Sequence, residues 1–286
     1  MPARDEYEIV LYPKLHHVKI DTVDIVYRNL HLHREMELCL VLDGSAQIRM
    51  PGRSFCVEKH SIFFFNPNEP HEITTLQRSG VKIVYIQLAS TFCQDYLDTF
   101  RNLEVLENDL TALLSPEQND EIARRILQIV DDYSASDKLS LFYCMGNIFH
   151  LFARMLEYVP YHELNRAESY AHSKKAARLR RITEYIDTHY SSRITLAELA
   201  KSEGVTLSYL SHFIRDNLNM NFRDYVNNVR FEKARKYLAD SSLPLVDVCL
   251  ESGFSDVKYL KRMFKKRFGC TIKEYQESLS GKGAQA

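Results

Sequence analysis

Two sets of polar side chains in this 286-residue sequence have the types and the spacing to do chemistry. The first set lies between Asp256 and Glu274, a segment with no acidic residue inside it, where basic residues recur every three or four positions. Its members are Lys258, Lys261, Arg262, Lys265 and Lys266. Arg can hydrogen-bond guanine through two N–H groups, and both Lys and Arg neutralise phosphates. The spacing therefore predicts a helix face that binds nucleic acid, with an ordinary solvated basic surface as the alternative.

A matching face lies fifty positions earlier and is more polar than basic. Its members are Thr206, Ser208, Ser211, His212 and Arg215. Hydroxyl and imidazole groups hydrogen-bond either phosphates or base edges, so this face is a second candidate for contact with DNA. We expect both outward faces to be free of acidic side chains and to contact double-stranded DNA.

The second set of polar side chains lies in the first third of the chain. Period-2 spacing predicts that His31, His33 and Glu37 share one face of one strand. With His71 from a neighbouring strand they could surround a divalent metal. A polar small-molecule pocket and a purely structural barrel are the other two interpretations. We favour the pocket and expect no metal or other cofactor; the pocket candidates are His33, Glu37, His71, Tyr85 and Gln87.

An internal repeat predicts the elements that position the two DNA-binding faces. Residues 200–205 match residues 249–254, and each copy has a small apolar residue followed four positions later by glycine, Gly204 and Gly253. Glycine allows positive φ in the tight turn between two crossing helices. Four apolar positions of the following helix also match: Leu210, Phe213, Ile214 and Leu218 with Leu260, Met263, Phe264 and Phe268. The repeat predicts two helix-turn-helix units.

A single helix over about 222–239 is predicted between the two units, with Val226, Val229, Leu238 and either Phe231 or Ala234 buried. It would be about 25 Å long at 1.5 Å per residue. Such a spacer could hold the two outward helices about 34 Å apart, one turn of DNA.

The front of the chain has a different pattern. Residues from about 6 to 90 read as short strands, including a half-buried strand at 36–42 and a turn at Asp43-Gly44, which indicates a barrel or sandwich. Apolar residues at helical spacing then predict two helices over about 120–158. These helices have more apolar surface than a lone hairpin buries, so they form either a dimer interface or a layer on their own barrel.

Charge and cysteine usage limit the class of protein. From Lys174 onward the chain carries 21 Lys and Arg against 13 Asp and Glu, a net +8, although the whole chain is −1. The six cysteines form no Cys-x-x-Cys pair, which disfavours a zinc ribbon or a disulfide framework. The polar start is unlike a signal peptide, and no stretch approaches about 18 apolar residues. We therefore expect a cytoplasmic protein with no membrane partner.

Residues 178–278 closely resemble the AraC/XylS family of regulators. The segment 247–275, DVCLESGFSDVKYLKRMFKKRFGCTIKEY, carries the family signature, and 230–238, RFEKARKYL, is similar to its linker helix. Ile272 stands where the family usually has proline, at a packing position.

The front half resembles the cupin-like effector domain of that family. His31-x-His33-x3-Glu37-x6-Gly44 is similar to the first cupin motif, and the segment 67–71 to the second, one residue short and without its glycine. The implied fold is multi-domain, β + α: an N-terminal cupin-like β-barrel with a helical dimerisation hairpin, and a C-terminal all-α domain with two helix-turn-helix units. The expected domains are an effector-binding barrel at 1–105, a hairpin at 106–162, a linker at 163–176 and a DNA-binding domain at 177–286.

The resemblance implies a sequence-specific transcription regulator, an activator rather than an enzyme. It would respond to a small molecule, for which a sugar is suggested, bind double-stranded DNA as a homodimer, and act with RNA polymerase. Two alternatives remain open: a metal-dependent cupin enzyme with a DNA-binding tail, and an effector-independent DNA binder.

Overall fold

The computed structural model describes residues 8, 10–75, 80–94, 102–135, 137–240 and 243–282. These residues form two compact units that divide after Ala177. We call them the front unit and the back unit. The polar start of the chain, residues 1–7, on which the expectation of no export rests, lies outside the described residues.

The front unit is built on two four-stranded antiparallel sheets. The strands are β1 (Val18–Ile25), β2 (Tyr27–His31), β3 (Met36–Asp43), β4 (Ser45–Met50), β5 (Arg53–Glu58), β6 (Ile62–Phe65), β7 (His71–Thr75) and β8 (Val81–Leu88). Their order is β1-β8-β3-β6 in one sheet and β2-β7-β4-β5 in the other. The predicted barrel is therefore a cupin-like sandwich among the described residues. The chain passes from one sheet to the other after β1, β2, β3, β5, β6 and β7. Among the described strands, no ladder joins the two sheets, so they do not close into one barrel.

The expectation of a half-buried strand at 36–42 is wrong, because β3 is buried on both faces. Leu38 and Leu40 belong to the core that includes the helices, whereas Cys39 and Val41 belong to the core between the sheets. A strand between two layers loses its solvent-facing side, which alternation in sequence alone does not reveal.

Two helices cover the outer face of the first sheet. They are α1 (Pro116–Ser134), which begins with a capping box between Ser115 and Gln118, and α2 (Lys138–Tyr158), capped by Asp137. Nine of their residues share the core with β1, β3 and β8: Ile122, Ile126, Ile129, Tyr133, Cys144, Ile148, Leu151, Phe152 and Met155. The inner face of the hairpin thus packs on its own sheet.

Among the described residues, α2 is also long and apolar enough to cross a membrane by length and composition. The expectation that no stretch approaches this size was therefore too strict. One face of α2 lies in the core of the front unit, as in a helix of a folded domain.

The predicted linker at 163–176 is not irregular. Strand β9 (Leu103–Val105) pairs with β10 (Tyr161–Glu163), and α3 (Arg166–His189) begins three residues later. The Asn165 side chain accepts hydrogen bonds from the backbone N–H groups of Ala167 and Glu168. In return, the Glu168 carboxylate accepts a hydrogen bond from the Asn165 backbone N–H. Leu179 is the first buried residue of α3. Capping rather than an apolar stripe starts this helix, so periodicity did not predict it.

The back unit continues as short helices. They are α4 (Leu196–Ser202), α5 (Leu207–Leu218), α6 (Phe222–Asp240), α7 (Leu245–Glu251), α8 (Val257–Phe268) and α9 (Ile272–Lys282). Gly204 and Gly253 have φ of 63° and 78°, which confirms the predicted turns. In α6 both Phe231 and Ala234 are buried. Ile272, the first residue of α9, is also buried, as expected at a packing position.

Candidate DNA-binding and effector-binding sites

Helices α5 and α8 are built alike, each following a short helix and a tight turn. Leu210 and Ile214 in α5, like Leu260 and Phe264 in α8, are fully buried. Because these residues are on one side, the opposite side faces solvent. All ten residues predicted to contact DNA are exposed: Thr206, Ser208, Ser211, His212, Arg215, Lys258, Lys261, Arg262, Lys265 and Lys266.

The outward face of α8 carries uncompensated positive charge. Asp256 caps the helix by accepting the Lys258 N–H, and the Arg262 guanidinium lies 5.0 Å from the centre of the Tyr259 ring. Within the described residues, none of the five basic side chains on this face forms an ion pair with a carboxylate. The face can therefore attract phosphates without first breaking an internal salt bridge.

The outward face of α5 differs from the prediction in one residue. Asp216 is exposed and lies 3.8 Å from Arg215, measured from Oδ1 to Nε. The face is therefore not free of acid, and α5 depends on hydrogen-bonding groups more than on charge. Thr206 is the N-cap of α5, and its hydroxyl accepts the Tyr209 N–H.

A groove of about 780 Å³ lies between the two helix-turn-helix units. Arg193, Thr195, Arg223, Asn227 and Ser255 are among its lining residues, and none of them is among the site residues predicted from the sequence. They come from three separate segments: the loops before α4 and α8 and the first two turns of α6. No spacing rule links such segments, so only the folded chain places them together.

The polar residues of the front unit gather into a buried cluster, although not by the predicted route. His31 ends β2, His33 lies in the connection to β3, and Glu37 lies within β3. They do not share one strand. The β2–β7 pairing places His31 opposite His71, and the turn of the chain brings His33 to the same place. One ring nitrogen from each of these three histidines lies within 4.8 Å of the others.

Glu37 and Gln87 complete the cluster. Gln87 Nε2 donates to Glu37 Oε2 at 2.6 Å, and the Cys39 thiol donates to the other carboxylate oxygen at 3.2 Å. His33 Nε2 lies 2.8 Å from Glu37 Oε2. Tyr85, predicted for the same pocket, directs its hydroxyl to Asp21 at 3.4 Å. The structure thus groups four of the five pocket candidates and gives Tyr85 another neighbour.

Burial and the Glu37 charge set the protonation of this cluster. Burial would raise the pKa of Glu37, but the adjacent His33 ring, with Nε2 2.8 Å from the carboxylate, holds it below its usual value. Burial would lower the pKa of His33, and the Glu37 interaction raises it instead. For His71, burial and the neighbouring His33 charge lower the pKa to about 4. The contact between His33 and Glu37 therefore favours the charged form of both groups, whereas His71 is neutral near neutral pH.

Glu8 is a polar residue that the sequence analysis missed. Its carboxylate pairs with Lys19 at 3.3 Å and Arg28 at 3.0 Å, and its backbone N–H donates to Leu32 O at 2.9 Å. No periodic pattern surrounds Glu8, so its burial depends on contacts with distant strands.

Comparison with known proteins gives two family matches. The model of an AraC-like ligand binding domain matches residues 21–152, and that of a helix-turn-helix domain matches residues 199–278. An uncharacterized HTH-type transcriptional regulator of Staphylococcus aureus is 26% identical over 239 residues, 82% of this chain and 30% of that protein. The transcriptional activator Btr of Bacillus subtilis is 20% identical, covering 78% of this chain and 40% of Btr. The chain thus spans less than half the length of these curated relatives.

Among solved structures, ToxT from Vibrio cholerae has a similar fold, with a TM-score of 0.51 at 11% identity. The likeness covers 91% of this chain and 98% of ToxT. The two family matches together span well over half of the chain, one on each unit, and agree with the duplicated helix-turn-helix and the sandwich described above. The chain belongs to the AraC family of transcriptional regulators, with an AraC-like ligand binding domain followed by an AraC-type helix-turn-helix domain.

Proposed function

We propose that this protein is a sequence-specific regulator of transcription whose binding to double-stranded DNA responds to a small molecule held in the front unit. The observation that carries the proposal is the pair of exposed faces on α5 and α8, in a unit of net positive charge. Two such helices read two short boxes on one side of the duplex, as in other paired helix-turn-helix proteins. The bound small molecule would act by stabilising one arrangement of these two helices over another.

The effector site is proposed at His33, Glu37, His71 and Gln87. A polar molecule such as a sugar could exchange hydrogen bonds with these groups, because several of their polar atoms lack an aligned partner, including Gln87 Oε1 and His71 Nε2. Tyr85 lies two residues from Gln87 on the same strand, and we include it at the edge of the proposed effector site. The name of Btr, a transcriptional activator, supports activation. RNA polymerase as a partner and a cytoplasmic location are further parts of this proposal. Enzymatic turnover in the front unit is the rival function.

Genome-wide DNA capture with the purified protein, followed by salt-titrated binding to the enriched fragments, tests the main proposal. We expect a motif of two short boxes about one DNA turn apart. Binding that depends steeply on salt and shows no sequence enrichment, with or without cell extract, would contradict a sequence-specific regulator and favour an architectural DNA binder.

Arg262→Ala and Lys266→Ala should separate base reading from phosphate contact. We expect Arg262→Ala to weaken binding to the enriched site by about 1–3 kcal/mol and to relax the preference at one base pair. Lys266→Ala should weaken binding to every sequence alike and lower the salt slope by about one. Lys273→Ala, an exposed lysine on α9 outside both faces, is the control. Equal effects of Arg262→Ala on all sequences would remove it from the base-reading set.

The outer face of the hairpin is the proposed dimer contact. Leu139, Phe142 and Tyr143 are 67%, 77% and 66% exposed on α2, on the side away from the sheet. Phe142→Glu should convert a dimer into a monomer, because burying a carboxylate in an apolar contact is costly. Analytical ultracentrifugation measures the change, with Tyr170→Glu, another exposed aromatic at 70%, as the control. A wild-type monomer at micromolar concentration, or a dimeric Phe142→Glu variant, would refute this interface.

A further inference from the structure

The three histidines of the front unit have the arrangement of a ligand set rather than of a packed core. Each ring directs Nδ1 to a backbone carbonyl: His31 to Asn29 O at 2.9 Å, His33 to Glu35 O at 3.0 Å, and His71 to Glu69 O at 2.9 Å. A carbonyl accepts only from N–H, so each ring carries a proton on Nδ1. A neutral ring in this tautomer has its lone pair on Nε2. His33, whose charged form is favoured by Glu37, offers this lone pair to a metal only when its Nε2 proton is released.

One ring nitrogen of each histidine lies within 4.8 Å of those of the other two, inside the protein. All three side chains are buried, with His33 and His71 at 1% and 0% exposure. His71 Nε2 has no hydrogen-bond partner, and His33 Nε2 is close to Glu37 but not aligned for a hydrogen bond. A buried ring nitrogen without a hydrogen-bond partner costs free energy, so two of them side by side indicate a site suited to a bound ligand.

The surrounding groups fix the rings in place. The Phe65 ring stacks on His71 with centroids 3.7 Å apart and planes 9° apart, and the His31 and His71 centroids lie 4.1 Å apart. The Nδ1–carbonyl contacts resemble the outer hydrogen bonds that orient histidines around bound metals. Glu37, held by Gln87, supplies a negative charge at the edge of the cluster.

We propose that His31, His33 and His71 bind one divalent transition-metal ion through Nε2, with Glu37 providing charge compensation or a fourth ligand. Imidazole is the ligand type that Zn²⁺, Co²⁺, Ni²⁺ and Fe²⁺ favour, whereas Mg²⁺ and Ca²⁺ require oxygen. Metal–nitrogen bonds of about 2.1 Å bring ligand nitrogens to roughly 3.4 Å from one another. The ring nitrogens lie within 4.8 Å of one another, so a bound ion would draw them closer by up to about 1.4 Å. The site lies in the proposed effector-binding unit, but metal binding itself does not depend on that role.

Co²⁺ titration of the full-length protein, stripped with chelator and kept reduced, tests the site. We expect one equivalent to bind, with a visible d–d spectrum and no thiolate charge-transfer band. X-ray absorption of the Zn²⁺-loaded wild type should show a shell of nitrogen and oxygen ligands with imidazole scattering and no sulfur. This measurement needs no variant. A sulfur shell, or the absence of stoichiometric binding, would overturn the proposal.

Variants locate the metal. His33→Asn and His71→Asn should each weaken Co²⁺ binding at least 100-fold, while His60→Asn, an exposed histidine outside the cluster, should leave it unchanged. Metal-free thermal unfolding checks that each variant is folded, and His31→Asn provides a third ligand deletion if one of them is not. Unchanged affinity in the folded ligand variants would refute the site. DNA binding is measured separately, so metal binding without any effect on DNA would contradict only a regulatory role.

Discussion

Gly253→Ala is expected to lower the free energy of unfolding of the back unit by about 3–5 kcal/mol, whereas Gly204→Ala should cost only about 1–2 kcal/mol. Both glycines have positive φ, so both variants place a side chain in the left-handed region. Their surroundings differ. A Cβ at Gly253 would lie 2.6 Å from Tyr190 O and 2.8 Å from Ser191 Cα, but one at Gly204 would meet nothing within 4 Å.

The close contact at Gly253 involves backbone, which cannot move aside as a side-chain tip can. Tyr190 O also accepts a hydrogen bond from Arg230 Nε at 2.7 Å, and the added Cβ would lie 3.0 Å from that nitrogen. The substitution therefore strains a turn and disturbs the hydrogen bond between Arg230, in the middle of α6, and Tyr190, just after the end of α3.

Thermal unfolding of the full chain, with hydrogen exchange resolved along residues 178–282, measures both substitutions. Faster exchange should extend across the back unit in Gly253→Ala and stay near the first turn in Gly204→Ala. Equal losses in the two variants would mean that positive φ alone accounts for the cost and that the contact with Tyr190 and Ser191 has no energetic role.

Phe231→Ala should be the most damaging truncation in the second helix-turn-helix unit, at about 3–5 kcal/mol. Phe231 is fully buried in α6, with its ring centre 4.9 Å from that of Phe264 and 6.1 Å from that of Phe268. The Arg267 guanidinium lies 4.2 Å from the same ring. Removal of the ring leaves a cavity at the point where α6 supports α8.

The effect on DNA follows from that position. With α8 poorly supported, the second box of the operator should lose its sequence preference while the first, which we assign to α5, keeps it. Leu250→Ala on α7, where the side chain is 64% exposed, is the matched control and should change stability by less than about 0.5 kcal/mol. Stability close to wild type in Phe231→Ala, or an equal loss at both boxes, would contradict this role.

The repeat of the back unit was predictable because its information is local. Leu210 with Leu260, and Gly204 with Gly253, recur at matched offsets, and each offset corresponds to a turn of helix or a tight connection. The structure buries both leucines and gives both glycines positive φ. The exposed positions of α5 and α8 follow from the same periodicity. Their contact with DNA remains a prediction.

Tertiary structure decided the features that depend on distant neighbours. Strand β3 is buried on both sides because α1 and α2 cover its sheet, and α3 exists where capping, not an apolar stripe, starts a helix. The convergence of His31, His33 and His71 requires strand pairing and a chain reversal that no spacing in the sequence specifies. Local periodicity determines which face of an element is apolar; what that face meets depends on long-range packing, which determines burial, charge state and the composition of each site.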